Sequence, residues 1–240
     1  MAEPDDVPLG RQEEYWDKWQ EERSENPWAQ RRSQLILELL ESLRLANAKI
    51  LDLGCGNGWL CPALSEYGEV TGIDLSRTNM ERAQRRFPQI RFIGANLFEY
   101  PMPEKHFDIV VSQQVIAHVN DQPGYVERCA ATLKDGGHLI LSTNNKFVMD
   151  RLGNERVDER ALGHIENWLS FADLRRLLDR HFEIRSRHSI IPRGHHGFLR
   201  IVNSPKLNRI LSLVVTPQWL ERAKETAGLG YVNLVLARKR

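Results

Sequence analysis

This sequence predicts an α/β fold built on an open, mostly parallel sheet with helices on both faces. Three observations carry that reading. Apolar, strand-like runs alternate with helix-like runs from Ile50 to Thr143. The first such run ends in alternate glycines, Gly54, Gly56 and Gly58. The next ends in a carboxylate, Asp74, 20 positions after Gly54. Repeated βα units demand right-handed crossovers, and ligands then bind at the carboxyl ends of the strands.

The chain's 240 residues suffice for one substantial core, so one domain is the default. With 41% hydrophobic and 27% charged residues and a mean hydropathy of -0.46, the composition is globular. No apolar run reaches the roughly 20 residues that a bilayer requires. The polar, acidic start Met1-Ala2-Glu3-Pro4-Asp5-Asp6 lacks the basic and apolar regions of a secretory signal, so a cytoplasmic location is expected. A net charge of +1 predicts neither a nucleic-acid nor a membrane partner. Cys55, Cys61 and Cys129 are odd in number and show no C-x-x-C spacing, which argues against disulfides and zinc. Arg175, Arg176, Arg180, Arg185, Arg187, Arg193 and Arg200 gather in the last third, as a solvated face or an anion site.

In chain order, Gln12 to Glu22 reads as a helix with Tyr15, Trp16 and Trp19 on one side. Pro27 opens a second, whose Leu35, Ile36, Leu39, Leu40 and Leu43 repeat at helical spacing. Ile50 to Leu53 is the first strand and Trp59 to Tyr67 the first crossover helix, with Pro62 tolerated in its first turn. Glu69 to Asp74 is a strand, Ser76 caps a helix through Arg86, and Ile90 to Gly94 is a third strand. Phe107 to Ser112 follows as a buried strand, Gln122 to Thr132 as a helix, Lys134 to Gly137 as a tight turn and His138 to Thr143 as a strand. Asn144, Asn145 and Lys146 then fall at the sheet's carboxyl edge. Phe147 to Trp168, with His164, reads as a loop, and Ser170 caps a helix through Arg180. Phe182 to Ile191 and Tyr231 to Ala237 are the last strands, separated by an insertion, about 192 to 230, with helical stretches from Pro205 to Val215 and from Gln218 to Ala227.

At the strand-to-glycine turn, positive φ and the lack of a Cβ allow a ligand to approach the backbone closely, and a carboxylate suits the N–H groups beyond it. A dinucleotide is disfavoured, because Trp59 stands where G-x-G-x-x-G requires a small residue. Asp74 offers a carboxylate for both hydroxyls of a ribose.

The run Asp52-Leu53-Gly54-Cys55-Gly56-Asn57-Gly58 resembles the first motif of the class I S-adenosylmethionine (SAM) dependent methyltransferases. Phe107-Asp108-Ile109-Val110-Val111-Ser112, followed by Gln113-Gln114-Val115-Ile116-Ala117-His118, resembles the family's fourth strand and loop, and the small-molecule ubiquinone/menaquinone group in particular. The resemblance implies a Rossmann-like seven-stranded sheet of order 3-2-1-4-5-7-6 with strand 7 antiparallel. It also implies SAM as cofactor. Asp52, Gly54, Cys55, Gly56 and Gly58 would hold the methionine end, Asp74 and Leu75 the ribose, and Asn96 and Leu97 the adenine, with Gln113 at the end of the fourth strand. Asn96 stands where the family commonly has Asp, and its amide oxygen can accept the same bond.

The function implied is methyl transfer to a small-molecule acceptor, with oxygen favoured over nitrogen or carbon. The alternatives are a regulatory or binding subunit of the same fold, or an RNA methyltransferase. His118 and His164 are the candidate catalytic bases. Gln114 and Ala117 replace acids that hold a divalent metal in ubiquinone-type relatives, so no metal is expected. Residues 1–46 are expected to form a helical lid on a SAM-binding domain of residues 47–240. The insertion, with Arg193, His195, His196, Phe198 and Arg200 in one short run and Gly194 and Gly197 bracketing the two histidines, is expected to close over substrate or to form a homodimer surface.

Overall fold

The computed structural model describes residues 7–19, 26–152, 165–194 and 196–240. Two helices, α1 (Leu9–Trp19) and α2 (Pro27–Leu43), lead into the alternation. Its units are β1 (Ala48–Leu53), α3 (Cys61–Leu64), β2 (Gly68–Asp74), α4 (Arg77–Arg86), β3 (Arg91–Gly94), β4 (Phe107–Gln113), α5 (Gln122–Thr132) and β5 (Leu133–Asn144). After these come α6 (Lys146–Met149), α7 (Phe171–Leu178), β6 (Phe182–Pro192), α8 (Phe198–Val202), α9 (Pro205–Leu211), α10 (Pro217–Thr226) and β7 (Gly230–Lys239). The strands form one seven-stranded sheet of order β3-β2-β1-β4-β5-β7-β6, as the resemblance implied. β7 runs antiparallel to both β5 and β6, and the other neighbours pair in parallel.

Alternation along the strands sends successive side chains to opposite faces. Ile50, Ile109, Val111, Ile140 and Leu234 pack against Leu35, Ile36, Leu39 and Leu40 of α2 and Met80 and Ala83 of α4. Leu51, Val110, Leu139, Leu141 and Val235 pack on the other face against Tyr125, Val126 and Cys129 of α5 and Leu174 and Leu178 of α7. With both faces covered, β1, β4 and β5 read as continuous apolar runs, which is why they were legible.

The helix ends follow local chemistry. Asn26 Oδ1 accepts the Trp28 N–H at 2.9 Å just before Pro27. Ser76 Oγ accepts the Asn79 N–H at 3.0 Å. Ser170 and Asp173 form a reciprocal capping box that opens α7.

Four expectations change. The first crossover helix is the single turn Cys61–Leu64 rather than Trp59 to Tyr67, because turns closed by Cys61 N–H on Gly58 O and Tyr67 N–H on Leu64 O flank it. The expected turn Lys134–Gly137 lies inside β5 as a bulge. Phe107 pairs with Leu133 and Ile109 already pairs with His138, so the intervening residues are looped out. Helix α7 stops at Leu178 instead of Arg180, and β7 extends two residues past Ala237 to Lys239. Among the described residues, no helix is long and apolar enough to cross a membrane.

Tyr125 and Ser112 link α5 to β4 through a hydroxyl pair 2.7 Å apart, and both residues are fully buried. Tyr125→Phe leaves the Ser112 hydroxyl without that partner inside the core. Urea unfolding is expected to show a loss of about 1–3 kcal/mol with an unchanged m-value; a variant as stable as the parent would refute a stabilising role for the bond.

Candidate functional site

The site lies where β1, β2 and β4 end. Gly54 and Cys55 donate their N–H groups to Ile73 O at 2.8 and 3.1 Å, which draws the glycine turn onto the end of β2. Gly54 has φ +75°, and a Cβ built there would stand 2.2 Å from Val115 Cγ2. Only glycine fits. Asp74 then fixes the turn: its Oδ2 accepts the Gly56 N–H at 2.8 Å and its Oδ1 the Ser76 N–H at 3.0 Å.

Two contiguous clefts result, sharing Gly54 and Gln113 in their walls. The larger, about 500 Å³, is lined by Asp74, Leu75, Asn96, Leu97 and His118 among others. Its apolar walls, Leu75, Leu97, Phe98 and Val119, suit a flat heterocycle, and the Asp74 carboxylate suits a diol, since each oxygen can accept a second bond. The smaller, about 30 Å³, is lined by Arg32, Asp52, Cys55, Gly56 and Trp59. It brings together a guanidinium and a carboxyl, the two groups that an amino-acid head group requires.

Asp52 is 2% exposed, and burial pushes its carboxyl up to about 7. A hydrogen bond from the Cys61 thiol, 3.3 Å away, opposes that rise, while the nearby Asp74 reinforces it. Burial likewise pushes the Cys55 thiol well up, and its sulfur lies 3.6 Å from Met80 Sδ in the core, so it is no nucleophile.

At the other end of the site, His118 Nδ1 lies 2.7 Å from Ile165 O. A carbonyl only accepts, so the proton sits on Nδ1 and Nε2 is the basic nitrogen of the neutral ring. The edge of Trp16 packs on that ring, with centroids 4.8 Å apart. Gln114, beside them in the wall, is held at φ +62°, a conformation a non-glycine residue keeps only under constraint.

The comparisons with known proteins agree with this geometry. Residues 51–141 match the methyltransferase domain family. A probable S-adenosylmethionine-dependent methyltransferase of Mycobacterium tuberculosis is 34% identical over 125 residues, covering 52% of this chain and 45% of that protein. The chain carries a class I SAM-dependent methyltransferase domain. A ubiquinone biosynthesis O-methyltransferase of Bradyrhizobium sp. is 30% identical over 182 residues, covering 72% of this chain and 61% of that protein. The chain thus spans about half to three fifths of the length of these curated relatives. Among solved structures, the N-methyltransferase NodS of Bradyrhizobium japonicum, in complex with S-adenosyl-L-homocysteine, superposes with a TM-score of 0.65 at 16% identity over 98% of this chain and 99% of that one. At that identity the likeness speaks for the fold.

The fold brings most of the residues singled out in the sequence to the two clefts. Asp52, Gly54, Cys55, Gly56, Asp74, Leu75, Asn96, Leu97, Gln113 and His118 all line one of the two clefts. Gly58 lines neither; it has φ +72°, and a Cβ there would fall 2.7 Å from the Phe92 ring, so packing demands it. Asn96 Oδ1 accepts the Phe98 N–H at 3.1 Å, closing its own turn. His164 and His195 lie outside the described residues. None of the described insertion residues lines the two clefts. The late arginines are dispersed: Arg176 pairs with Asp173 and Arg185 with Glu183, while Arg187 stacks on Phe171 and Arg193 on Trp28.

Sequence reading missed Arg32, whose Nε donates to Gln113 Oε1 at 2.7 Å across 81 positions of chain. Beside Arg31 on the polar side of α2 it carries no local signal. It also changes the electrostatics expected at the turn, because the four-residue α3 is too short for a useful dipole and a guanidinium supplies the positive charge instead.

Asp74→Ala is expected to abolish SAM binding in calorimetry, while wild type binds no NAD; retention of affinity by the variant would refute the ribose assignment. Asp52 adds a pH dependence with a definite sign. Between its ordinary value of 3.8 and about 7 the folded protein holds a proton that the unfolded chain has released, so stability of the ligand-free protein declines as pH rises through that window. A ligand ammonium favours the carboxylate, so SAM affinity should rise with pH up to about 7 and then level, with proton release below it. Calorimetry in buffers of differing ionisation enthalpy measures this, and Asp52→Asn should flatten it.

Proposed function

We propose that this protein transfers a methyl group from SAM to a small-molecule acceptor, and that the acceptor atom is a hydroxyl oxygen. The observation that carries this reading is the His118 tautomer: a proton held on Nδ1 by Ile165 O makes Nε2 the basic nitrogen of a residue that lines the larger cleft. The likeness to a ubiquinone biosynthesis O-methyltransferase supports the choice of oxygen. The clefts fit SAM: the larger has the apolar walls and carboxylate for adenosine, and the smaller has Arg32 and Asp52 for the carboxylate and ammonium of methionine. When bound, SAM supplies an activated methyl group. The protein contributes proximity and alignment, and His118 Nε2 takes the proton that the acceptor hydroxyl gives up.

Helix α1 serves in this reading as the lid. Gln12 and Trp16 line the larger cleft, and Asp17 accepts hydrogen bonds from Ser76 and Thr78 at the start of α4. Asn79 Nδ2 donates to Trp16 O at 3.2 Å. The intact glycine turn and Asp74 favour an enzyme over a binding subunit.

A screen with methyl-labelled SAM against phenols, catechols, amines and RNA tests the function. Label is expected in a hydroxylated small molecule; transfer to RNA alone, or tight SAM binding with no transfer, would overturn the reading. His118→Ala is expected to lower kcat by about 100-fold or more while SAM affinity stays near wild type. The activity is expected to survive exhaustive chelation, and a loss restored by added magnesium would show that a metal takes part.

A further inference from the structure

The insertion between β6 and β7 turns unusual surface outward. Leu199 anchors it in a small core with Val148, Met149 and Leu152. Six of its other apolar residues face outward: Phe198, Ile201, Ile210 and Trp219 are more than half exposed, Leu213 is 84% exposed and Val214 86%. Helix α9 buries no residue at all. Lone exposed apolar residues are ordinary, but six within 22 positions make a patch that calls for an occupant.

Charge identifies the occupant. From Pro192 to Leu220 the chain carries Arg193, Arg200, Lys206 and Arg209 and no acidic residue. The whole chain is only +1, so the residues outside this stretch sum to a net negative charge while this stretch is wholly basic. Arg200, Lys206 and Arg209 are exposed. Helical spacing sets bases beside apolar groups: Lys206 stands four residues before Ile210 on α9, and Arg222 three after Trp219 on α10. The acids of α10 are engaged elsewhere, Glu221 with Lys224 at 2.8 Å and Glu225 with Arg31 at 3.9 Å.

We propose that the face formed by α8, α9, the Leu213-Val214 turn and the start of α10 docks on an anionic lipid surface. Apolar tips enter the acyl boundary there, tryptophan sits at the headgroup level, and Lys and Arg meet lipid phosphates. A second copy of the chain suits the patch less well, because a two-fold axis would set its bases against each other. Overall net charge predicts no lipid partner; the acid-free, basic and apolar surface of this stretch points to one.

Flotation of the full-length protein with vesicles of phosphatidylcholine plus phosphatidylglycerol, against phosphatidylcholine alone, tests the proposal. Binding to the anionic vesicles alone, weakened by added salt, is expected. Lys206→Gln and Arg209→Gln should each lower partitioning about fivefold. Leu213→Ser with Val214→Ser should abolish it, and SAM affinity in all variants should match wild type. If the serine pair fails to fold, the two glutamine variants decide the matter. Equal partitioning onto both vesicles, no flotation, or an unchanged response in the glutamine variants would overturn the proposal. So would a solution dimer that Leu213→Glu dissociates, since a second copy would then cover the face. Flotation needs no methyl transfer, so its failure is separable from failure of the enzymatic reading.

Discussion

One carboxylate holds the site together. Asp74 accepts the Gly56 N–H on one oxygen and the Ser76 N–H on the other, tying the glycine turn after β1 to the turn after β2. Both are turns with no regular structure of their own, and both must keep their shape for a nucleoside to lie between them. The group proposed to meet the ribose therefore also fixes the backbone around it, so on that reading its loss removes a contact and the frame together. Behind the turn, Val115 leaves Gly54 no room for a side chain. Precision of this kind comes from packing two rigid strand ends against each other, not from the loop.

The same corner carries the cover over the site. Ser76 accepts from Asn79 N–H to cap α4 and donates to Asp17 of α1. Tyr15 is buried while Trp16 reaches His118 across the cleft. Helix α1, the lid of the proposed reading, is thus fastened by a few polar contacts at one end and one aromatic contact at the other. Such an attachment can release without disturbing the sheet, which suits a site that must exchange its cofactor after each turnover.

Cofactor chemistry and the insertion are separated in the fold. The clefts draw on β1, β2, β4, α1 and α2, while α8, α9 and α10 sit by β6 and β7 at the far edge of the sheet. The edge position leaves the insertion able to present exposed apolar and basic groups without straining the SAM site. It also brings a surface suited to lipid and a catalytic cleft into one molecule.

Much of this was legible in the chain. Buried parallel strands are continuous apolar runs, so β1, β4 and β5 announce themselves. Caps such as Ser76 and Ser170 are local hydrogen bonds made within three residues, and Gly54 and Asp74 are fixed by the covalent geometry of a strand-end turn. What spans long separations was not legible. Arg32 meets Gln113 only because α2 lies across the end of β4, and the tautomer of His118 depends on a carbonyl 47 residues away. The bulge in β5 depends on which residues of β4 it must pair with. The exposure of Leu213 and Val214 is likewise a tertiary fact, because an apolar run reads as core until the fold shows how much of it is left exposed. Local patterning thus determined the elements and the cofactor turn by itself, whereas charge placement, ring orientation and the outward face of the insertion were decided by tertiary packing, which alone sets the neighbours of each side chain.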